Sequence, residues 1–231
     1  MDNQAFRFLQ NKKTSNSFLP QNVHGLHLDK YEHQKLKKGD IIFLSEQPSN
    51  KIYFILEGKV KMGIYLDSGR EITQSILSKG KIFGELSLIG AEKTNQFASA
   101  YRDSTICAIP TKEVKLMMNN NSDLNFFLME KIGTKLLQRE QQLESLTFKN
   151  SRTRIIEFLL DLAKNNGIQV GYERLVNNFY LHSEIADMTA TSRQTVTTIL
   201  NELRRKKLLI FNRKRMLIRD MDNLSAELSV N

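Results

Sequence analysis

Cysteine is almost absent from this chain. Cys107 is the only one in 231 residues, which excludes an intramolecular disulfide and any four-cysteine zinc or iron–sulfur centre within one chain. It stands in the apolar run Thr105-Ile106-Cys107-Ala108-Ile109 and reads as a small buried core residue rather than a redox sensor. Long apolar runs are missing too. No stretch approaches the roughly 20 residues needed to span a bilayer, and the opening MDNQAFRFLQ has no signal-peptide core, so a cytoplasmic protein with no membrane partner is expected. No nucleophile–base pair, metal-ligand set or phosphate-binding glycine loop stands out, which argues against an enzyme. The spacing His24-x-x-His27 suits a metal, but two histidines in such a loop read as surface residues, and no metal is predicted.

Acidic residues are scarce in one particular stretch. Between Thr191 and Arg219 stand nine basic residues (Arg193, Arg204, Arg205, Lys206, Lys207, Arg213, Lys214, Arg215, Arg219) and a single acid, Glu202. A solvated surface normally mixes the two signs. The whole chain carries +9, so a polyanionic partner is implied, and the 40% hydrophobic content suffices for the cores of two small domains.

The same stretch has a helix-turn-helix pattern. Val196, Ile199, Leu200 and Leu203 recur at helical spacing and form a buried face, leaving Arg193, Gln194, Thr197 and Thr198 outward. Thr191 and Gln194 have capping-box spacing, which places a helix start just before Ser192. Ahead of it Ser183–Met188 turns Ile185 and Met188 inward, and Thr189-Ala190 is a tight turn. Downstream, Leu208–Phe211 and Met216–Ile218 are strand-like runs around Asn212-Arg213-Lys214-Arg215, a basic hairpin or wing.

Upstream, short β-rich runs at 41–44, 52–56, 59–65, 71–77 and 105–109, punctuated by Gly39-Asp40, Glu57-Gly58, Asp67-Ser68-Gly69 and Lys79-Gly80, predict a jelly roll of about eight strands. After Pro110 the period becomes helical: a short helix over 112–119, then a long one over 123–147 with an apolar stripe of Leu124, Phe127, Leu128, Ile132, Leu136, Leu143 and Leu146. A helix of that length needs a partner, either the sandwich of its own chain or a parallel twin. Phe148–Ser151 breaks the pattern before a new amphipathic helix at 152–163, capped by Asn150 or Ser151. The expected fold is α+β, divided as 1–122 sensor domain, 123–149 dimerisation helix and 150–231 winged helix-turn-helix.

Across about Lys30 to Asp220 the chain resembles the CRP/FNR family of bacterial transcription regulators. Ile82-Phe83-Gly84-Glu85-Leu86-Ser87-Leu88 is similar to the family's phosphate-binding cassette, Arg154–Lys164 to the first helix of its DNA-binding domain, and Thr191-Ser192-Arg193-Gln194-Thr195-Val196 to its recognition helix. The resemblance implies a cyclic-nucleotide-binding-like jelly roll, a homodimer through the long helix, a palindromic promoter site in double-stranded DNA and contact with RNA polymerase. The alternative is a cyclic-nucleotide-binding module that regulates a partner protein, a reading disfavoured by the helix-turn-helix.

By the resemblance, effector candidates are Gly84, Glu85, Leu86, Thr94, Asn95 and Arg139. Relatives that bind cyclic AMP neutralise its phosphate with an Arg-Ser pair. The matching window here, Thr94-Asn95-Gln96, has no cation, and only Lys93 is nearby. The adenine-contacting Thr-Ser pair is replaced by Arg139-Glu140, better suited to bonding across a dimer. Cyclic AMP is therefore not expected, and the effector stays open; Gly84-Glu85 could equally preserve a turn and its cap. The oxygen-sensing branch needs a cysteine cluster that one cysteine cannot supply. His24, His27 and His33 lie N-terminal to the strands, and His182 is on the DNA domain, so haem fits poorly.

For DNA, Arg193 suits bidentate bonding to guanine, with a phosphate clamp as the alternative. Gln194, where well-known relatives carry Glu, either favours adenine or closes the capping box, so the site should differ from the family's usual TGTGA-like half-site. Thr197 and Thr198 depart from the Gly or Ser and the Arg of relatives. Ser192, Thr195 and Thr198, with Arg213, Lys214 and Arg215 of the wing, are expected phosphate contacts.

Overall fold

The computed structural model describes residues 22–23, 26–48, 50–90, 93–212 and 214–229. By contacts the chain divides into two compact units, residues 1–62 with 76–132, and residues 63–75 with 133–231.

A short antiparallel pair, β1 (Asn22–Val23) and β2 (Leu26–His27), precedes the sandwich. Its strands are β3 (His33–Leu36), β4 (Ile41–Phe43), β5 (Lys51–Glu57), β6 (Lys59–Tyr65), β7 (Glu71–Ser78), β8 (Ile82–Phe83), β9 (Gln96–Ala100) and β10 (Ser104–Pro110). They form two four-stranded sheets, ordered β3-β10-β5-β8 and β4-β9-β6-β7. The eight strands match the expected jelly roll. Three of them, β3, β8 and β9, have no clear apolar alternation in the sequence: β8 is two residues long, and β9 is Gln96-Phe97-Ala98-Ser99-Ala100, in which Phe97 is the one large apolar residue. His33 is also not N-terminal to the strands as expected. It opens β3, and its Nε2 lies 3.0 Å from the Leu28 carbonyl oxygen.

Side chains alternate across β5 and β10 so that Ile52, Phe54, Cys107 and Ile109 enter one core with Leu28, Ile82 and Val114, while Ile55 and Ile106 enter another with Val60, Met62, Phe83 and Ala98. Each such large side chain contributes about 1.5–3 kcal/mol by leaving water. Cys107 is fully buried, and burial pushes its thiol up to about 11, so it is an inert core residue.

Helix α1 (Thr111–Met118) leads into α2 (Ser122–Phe148). Leu124, Phe127 and Leu128 of α2 are buried in the first core. Further along, the same apolar pattern is uncovered: Leu136 is 60% exposed and Leu143 65%.

The second unit holds α3 (Ser151–Asn166), β11 (Gly167–Val170), β12 (Glu173–Asn177), α4 (His182–Met188), α5 (Arg193–Arg205), β13 (Leu209–Phe211), β14 (Arg215–Ile218) and α6 (Met221–Ala226). Asn150 caps α3, its side chain accepting from the Thr153 amide at 2.9 Å. The strands make one sheet in the order β11-β12-β14-β13. Ile155, Ile156 and Leu159 of α3, Ile185 of α4, Val196, Leu200 and Leu203 of α5, and Leu209, Met216 and Ile218 of the hairpin are buried together in this unit. The segment 63–75 belongs to it as well: Arg70 Nη2 donates to Asp187 Oδ1 at 3.2 Å, and the Thr73 amide to Oδ2 at 3.1 Å.

Candidate nucleic-acid interface

Helix α5 begins one residue later than the capping-box spacing suggests. Ser192, not Thr191, is the N-cap: its hydroxyl accepts from the Thr195 amide at 3.0 Å and lies 2.8 Å from Thr195 Oγ1. The hydroxyl is the stronger competitor because Ser192 has the extended backbone an N-cap needs, φ −88° and ψ 149°. Gln194 is therefore not engaged in a capping box. It is exposed, as are Ser192, Arg193 and Thr198, while Thr195 and Thr197 are half-buried. The predicted inward face holds, with Val196, Ile199, Leu200 and Leu203 all buried.

The turn from α4 to α5 is held from outside. Ala190 adopts φ 48°, a conformation that costs a residue with a side chain about 1–2 kcal/mol. Arg154 of α3 fixes it with two bonds, Nε donating to the Thr189 carbonyl at 2.9 Å and Nη2 to the Ala190 carbonyl at 3.0 Å, while its Nη1 donates to the Lys149 carbonyl ahead of α3 at 2.7 Å. Nothing local in the sequence announces this clamp, since 35 residues separate Arg154 from Thr189.

The basic run is not uniformly available. Lys206 is paired with Glu227 at 2.8 Å and Glu202 at 3.5 Å, Arg219 lies 3.9 Å from Glu173, and Arg204 stacks over the Phe211 ring at 5.3 Å. Arg193, Arg205, Lys207, Lys214 and Arg215 have no ion-pair partner among the described residues and are exposed. Lys214 and Arg215 sit at the wing turn, which Asn212 builds by accepting both their amides on Oδ1 at 2.8 Å. The Phe179 amide anchors the turn through the Lys214 carbonyl at 3.0 Å. Arg213, the remaining wing cation, lies outside the described residues.

Arg152 braces the far end of α5. One guanidinium nitrogen donates to Glu202 at 2.7 Å and the other to Glu227 near the C-terminus. Burial opposes the charge on Arg152, but the two carboxylates outweigh it and raise its pKa; Glu202 is lowered chiefly by Arg152 and Glu227 chiefly by Lys206. The structure also brings His182 into the surface. Its Nδ1 lies 2.9 Å from Thr197 Oγ1, and its ring packs against Phe211 with centroids 5.6 Å apart.

An exposed polar start of α5, a rigid turn before it and a basic hairpin after it form a winged helix-turn-helix. The comparisons agree: residues 33–121 match the cyclic nucleotide-binding domain family and residues 153–227 the Crp-like helix-turn-helix domain family. The chain belongs to the CRP/FNR family. It is a DNA-binding transcription regulator of that type, and the family is not one of enzymes. It is 27% identical over 196 residues to the global nitrogen regulator of Nostoc sp., covering 84% of this chain and 88% of that one. It is 25% identical over 188 residues to the CRP-like cAMP-activated global transcriptional regulator of Mycobacterium tuberculosis, covering 81% and 84%. Among solved structures, a CooA mutant from Carboxydothermus hydrogenoformans superposes with TM-score 0.77 at 22% identity, over 94% of this chain and 98% of that one.

The segment 82–88 that is similar to the family's cassette is built around a tight turn. Gly84 has φ 82°, and a Cβ on it would stand 2.5 Å from the Lys51 carbonyl oxygen and 3.1 Å from the Tyr53 ring, so glycine is required by both conformation and space. Ser87 ties the turn down, its hydroxyl donating to the Gly84 carbonyl at 2.8 Å and meeting Thr111 Oγ1 at 2.7 Å. Glu85 is half-buried and Leu86 exposed. Thr94 turns inward on its own loop, Oγ1 accepting from the Gln96 amide at 3.1 Å, and Asn95 is exposed. Arg139 is exposed on α2, where it bonds Gln142 at 2.9 Å. Among the described residues no group of His, Cys, Asp and Glu could hold a metal ion; His24 lies outside them. No described helix is long and apolar enough to cross a membrane.

Proposed function

We propose that this protein binds a palindromic promoter site in double-stranded DNA as a homodimer, with residues 1–122 as a sensor domain, 123–149 as the dimerisation helix and 150–231 as the reader. The observation that carries the reading is the split surface of α5: its apolar face is buried while Ser192, Arg193, Gln194 and Thr198 are exposed, and the wing turn carries Lys214 and Arg215, exposed and without an ion-pair partner among the described residues. Arg193 reads a guanine, Gln194 is free of capping and reads a neighbouring base, and the hydroxyls and wing cations hold phosphates. Because Ser192 and Thr195 hydroxyls bond each other, their phosphate contacts are made together with the backbone amides of the helix start.

The dimer reading is supported by the uncovered apolar residues of α2, among them Leu136 and Leu143. RNA polymerase is the expected protein partner and the cytoplasm the expected location. Cyclic AMP is not the expected effector, although the Mycobacterium relative is named for activation by it: no cation stands in the Thr94-Asn95-Gln96 window to balance a buried phosphate. Selection of bound duplexes from a random library tests the whole reading. Two inverted half-sites about one helical turn apart are expected. Arg193→Ala should relax preference at one base pair per half-site by about 1–3 kcal/mol. The double variant Leu136→Glu, Leu143→Glu should lose the two-fold pattern. Enrichment of no sequence, or of single half-sites by the unaltered chain, would overturn it.

A further inference from the structure

His182 lies where the two parts of the reading surface meet. On one side its Nδ1 is 2.9 Å from Thr197 Oγ1, one turn into α5; on the other its ring packs against Phe211 of β13, the strand that leads into the wing. When α5 enters a major groove and the wing reaches the flanking backbone, the phosphates bordering that groove pass over the side chains between helix and wing. The imidazole occupies that ridge.

Hydrogen counting then assigns its free nitrogen. The Thr197 hydroxyl has one hydrogen, and it donates to the Arg193 carbonyl at 2.9 Å. The bond to His182 is therefore supplied by the imidazole Nδ1–H, which leaves Nε2 as the bare nitrogen. Nε2 has no hydrogen-bond partner among the described residues. A proton added there breaks no existing bond and turns an acceptor into a charged donor.

The charged groups on the elements around the ring are mostly positive: Arg193, Arg204 and Arg205 on α5 and Lys214 and Arg215 at the wing, against Glu202 on α5, which is paired with Arg152, and Glu184 and Asp187 on α4 itself, the first accepting from the Leu181 amide at 2.8 Å and the second paired with Arg70. In the free protein, burial first and then the Arg193 guanidinium hold His182 below the ordinary imidazole value, so it is neutral near pH 7. A DNA backbone reverses that field, because it neutralises the cations and adds phosphate oxygens of its own.

We propose that His182 is a proton-linked phosphate contact: DNA binding loads a proton onto Nε2, which donates to a backbone phosphate while Nδ1 keeps Thr197 and the first turn of α5 in place. The inference rests on the DNA-binding reading of this face. A complex that takes up one proton per protomer tightens as pH falls, by at most about tenfold per pH unit per proton.

The test is binding of the full chain to a duplex of about 30 base pairs, three helical turns, by fluorescence anisotropy at constant ionic strength between about pH 8 and pH 6. The unaltered chain should tighten by about three- to tenfold per protomer. His182→Asn, whose amide retains a donor near the Nδ1 position and takes no proton, should change by less than about twofold. Equal pH slopes in the two proteins overturn the inference and leave the DNA-binding reading standing; no binding by either at low salt overturns both. An independent arm needs no variant to function: the His182 imidazole resonance, identified by its absence from the His182→Asn spectrum, should titrate at higher pH in the DNA complex than in the free chain. An unchanged or lower midpoint overturns the inference.

Discussion

Removing the Arg154 clamp should loosen the helix-turn-helix from behind. Its three bonds run to the carbonyls of Lys149, Thr189 and Ala190, at 2.7, 2.9 and 3.0 Å. Hydrogen bonds from a charged donor contribute about 1.5–3 kcal/mol each. The three share one side chain that is half-buried, so they do not add, and water takes over part of the loss in Arg154→Ala. The expected destabilisation is about 3 kcal/mol. Arg154→Lys offers a single compact ammonium in place of the three-way fork and should recover about 1 kcal/mol. Native-state hydrogen exchange suits the question because it resolves regions within one chain. Peptides covering 182–205 should lose about 3 kcal/mol of protection, while peptides covering β5 (Lys51–Glu57) stay as they are. Operator affinity should fall with the protection of the turn. Loss below about 0.5 kcal/mol, or equal losses in the Ala and Lys variants, would refute the clamp and leave Arg154 as surface packing.

Ala190→Gly should move the other way, relieving the φ of 48° and raising the exchange protection of the same turn by about 0.5–1 kcal/mol; a decrease would show that the unfolded-state entropy of glycine prevails. Lys214→Ala should lower the slope of log K against log salt by about 0.9 for each wing that engages a phosphate, with sequence preference unchanged. Lys206→Ala should leave the slope alone, because that ammonium is already held by Glu227 and Glu202. The Glu202 and Glu227 carboxylates are lowered in the folded chain. Their contribution is complete above the unfolded carboxylate value of about 4.3 and is lost as pH falls through the folded values. Acid unfolding of the second unit, followed by exchange at 193–205, should therefore be less steep in pH for Glu227→Gln than for the unaltered chain.

The helices were more legible than the strands, and the reason is in the length of pattern each supplies. Helix α5 repeats its apolar residues through Val196, Ile199, Leu200 and Leu203, and all four are buried. Two-residue β8 offers no period, and β9 is made of residues that suit a loop as well as a strand. The capping-box spacing of Thr191 and Gln194 points one residue too early for the cap of α5, because Thr191 and Ser192 are both good N-cap residue types; backbone conformation chooses Ser192. The long-range partners were beyond reach of pattern altogether. Arg154 meets Thr189 across 35 residues and Arg152 meets Glu227 across 75, and neither distance leaves a periodic trace.

That limit bears directly on how a basic stretch is read. From the sequence, the cations between Thr191 and Arg219 form one charge run with one expected partner. In the structure the run divides: Lys206 and Arg219 lie within ion-pair distance of carboxylates of the same domain, whereas Arg193, Lys214 and Arg215 are exposed with no ion-pair partner among the described residues. The carboxylates that make the division, Glu173, Glu202 and Glu227, come mostly from outside the run. Net charge therefore argues for a polyanionic partner, but only the folded pairing tells which cations are left to meet it.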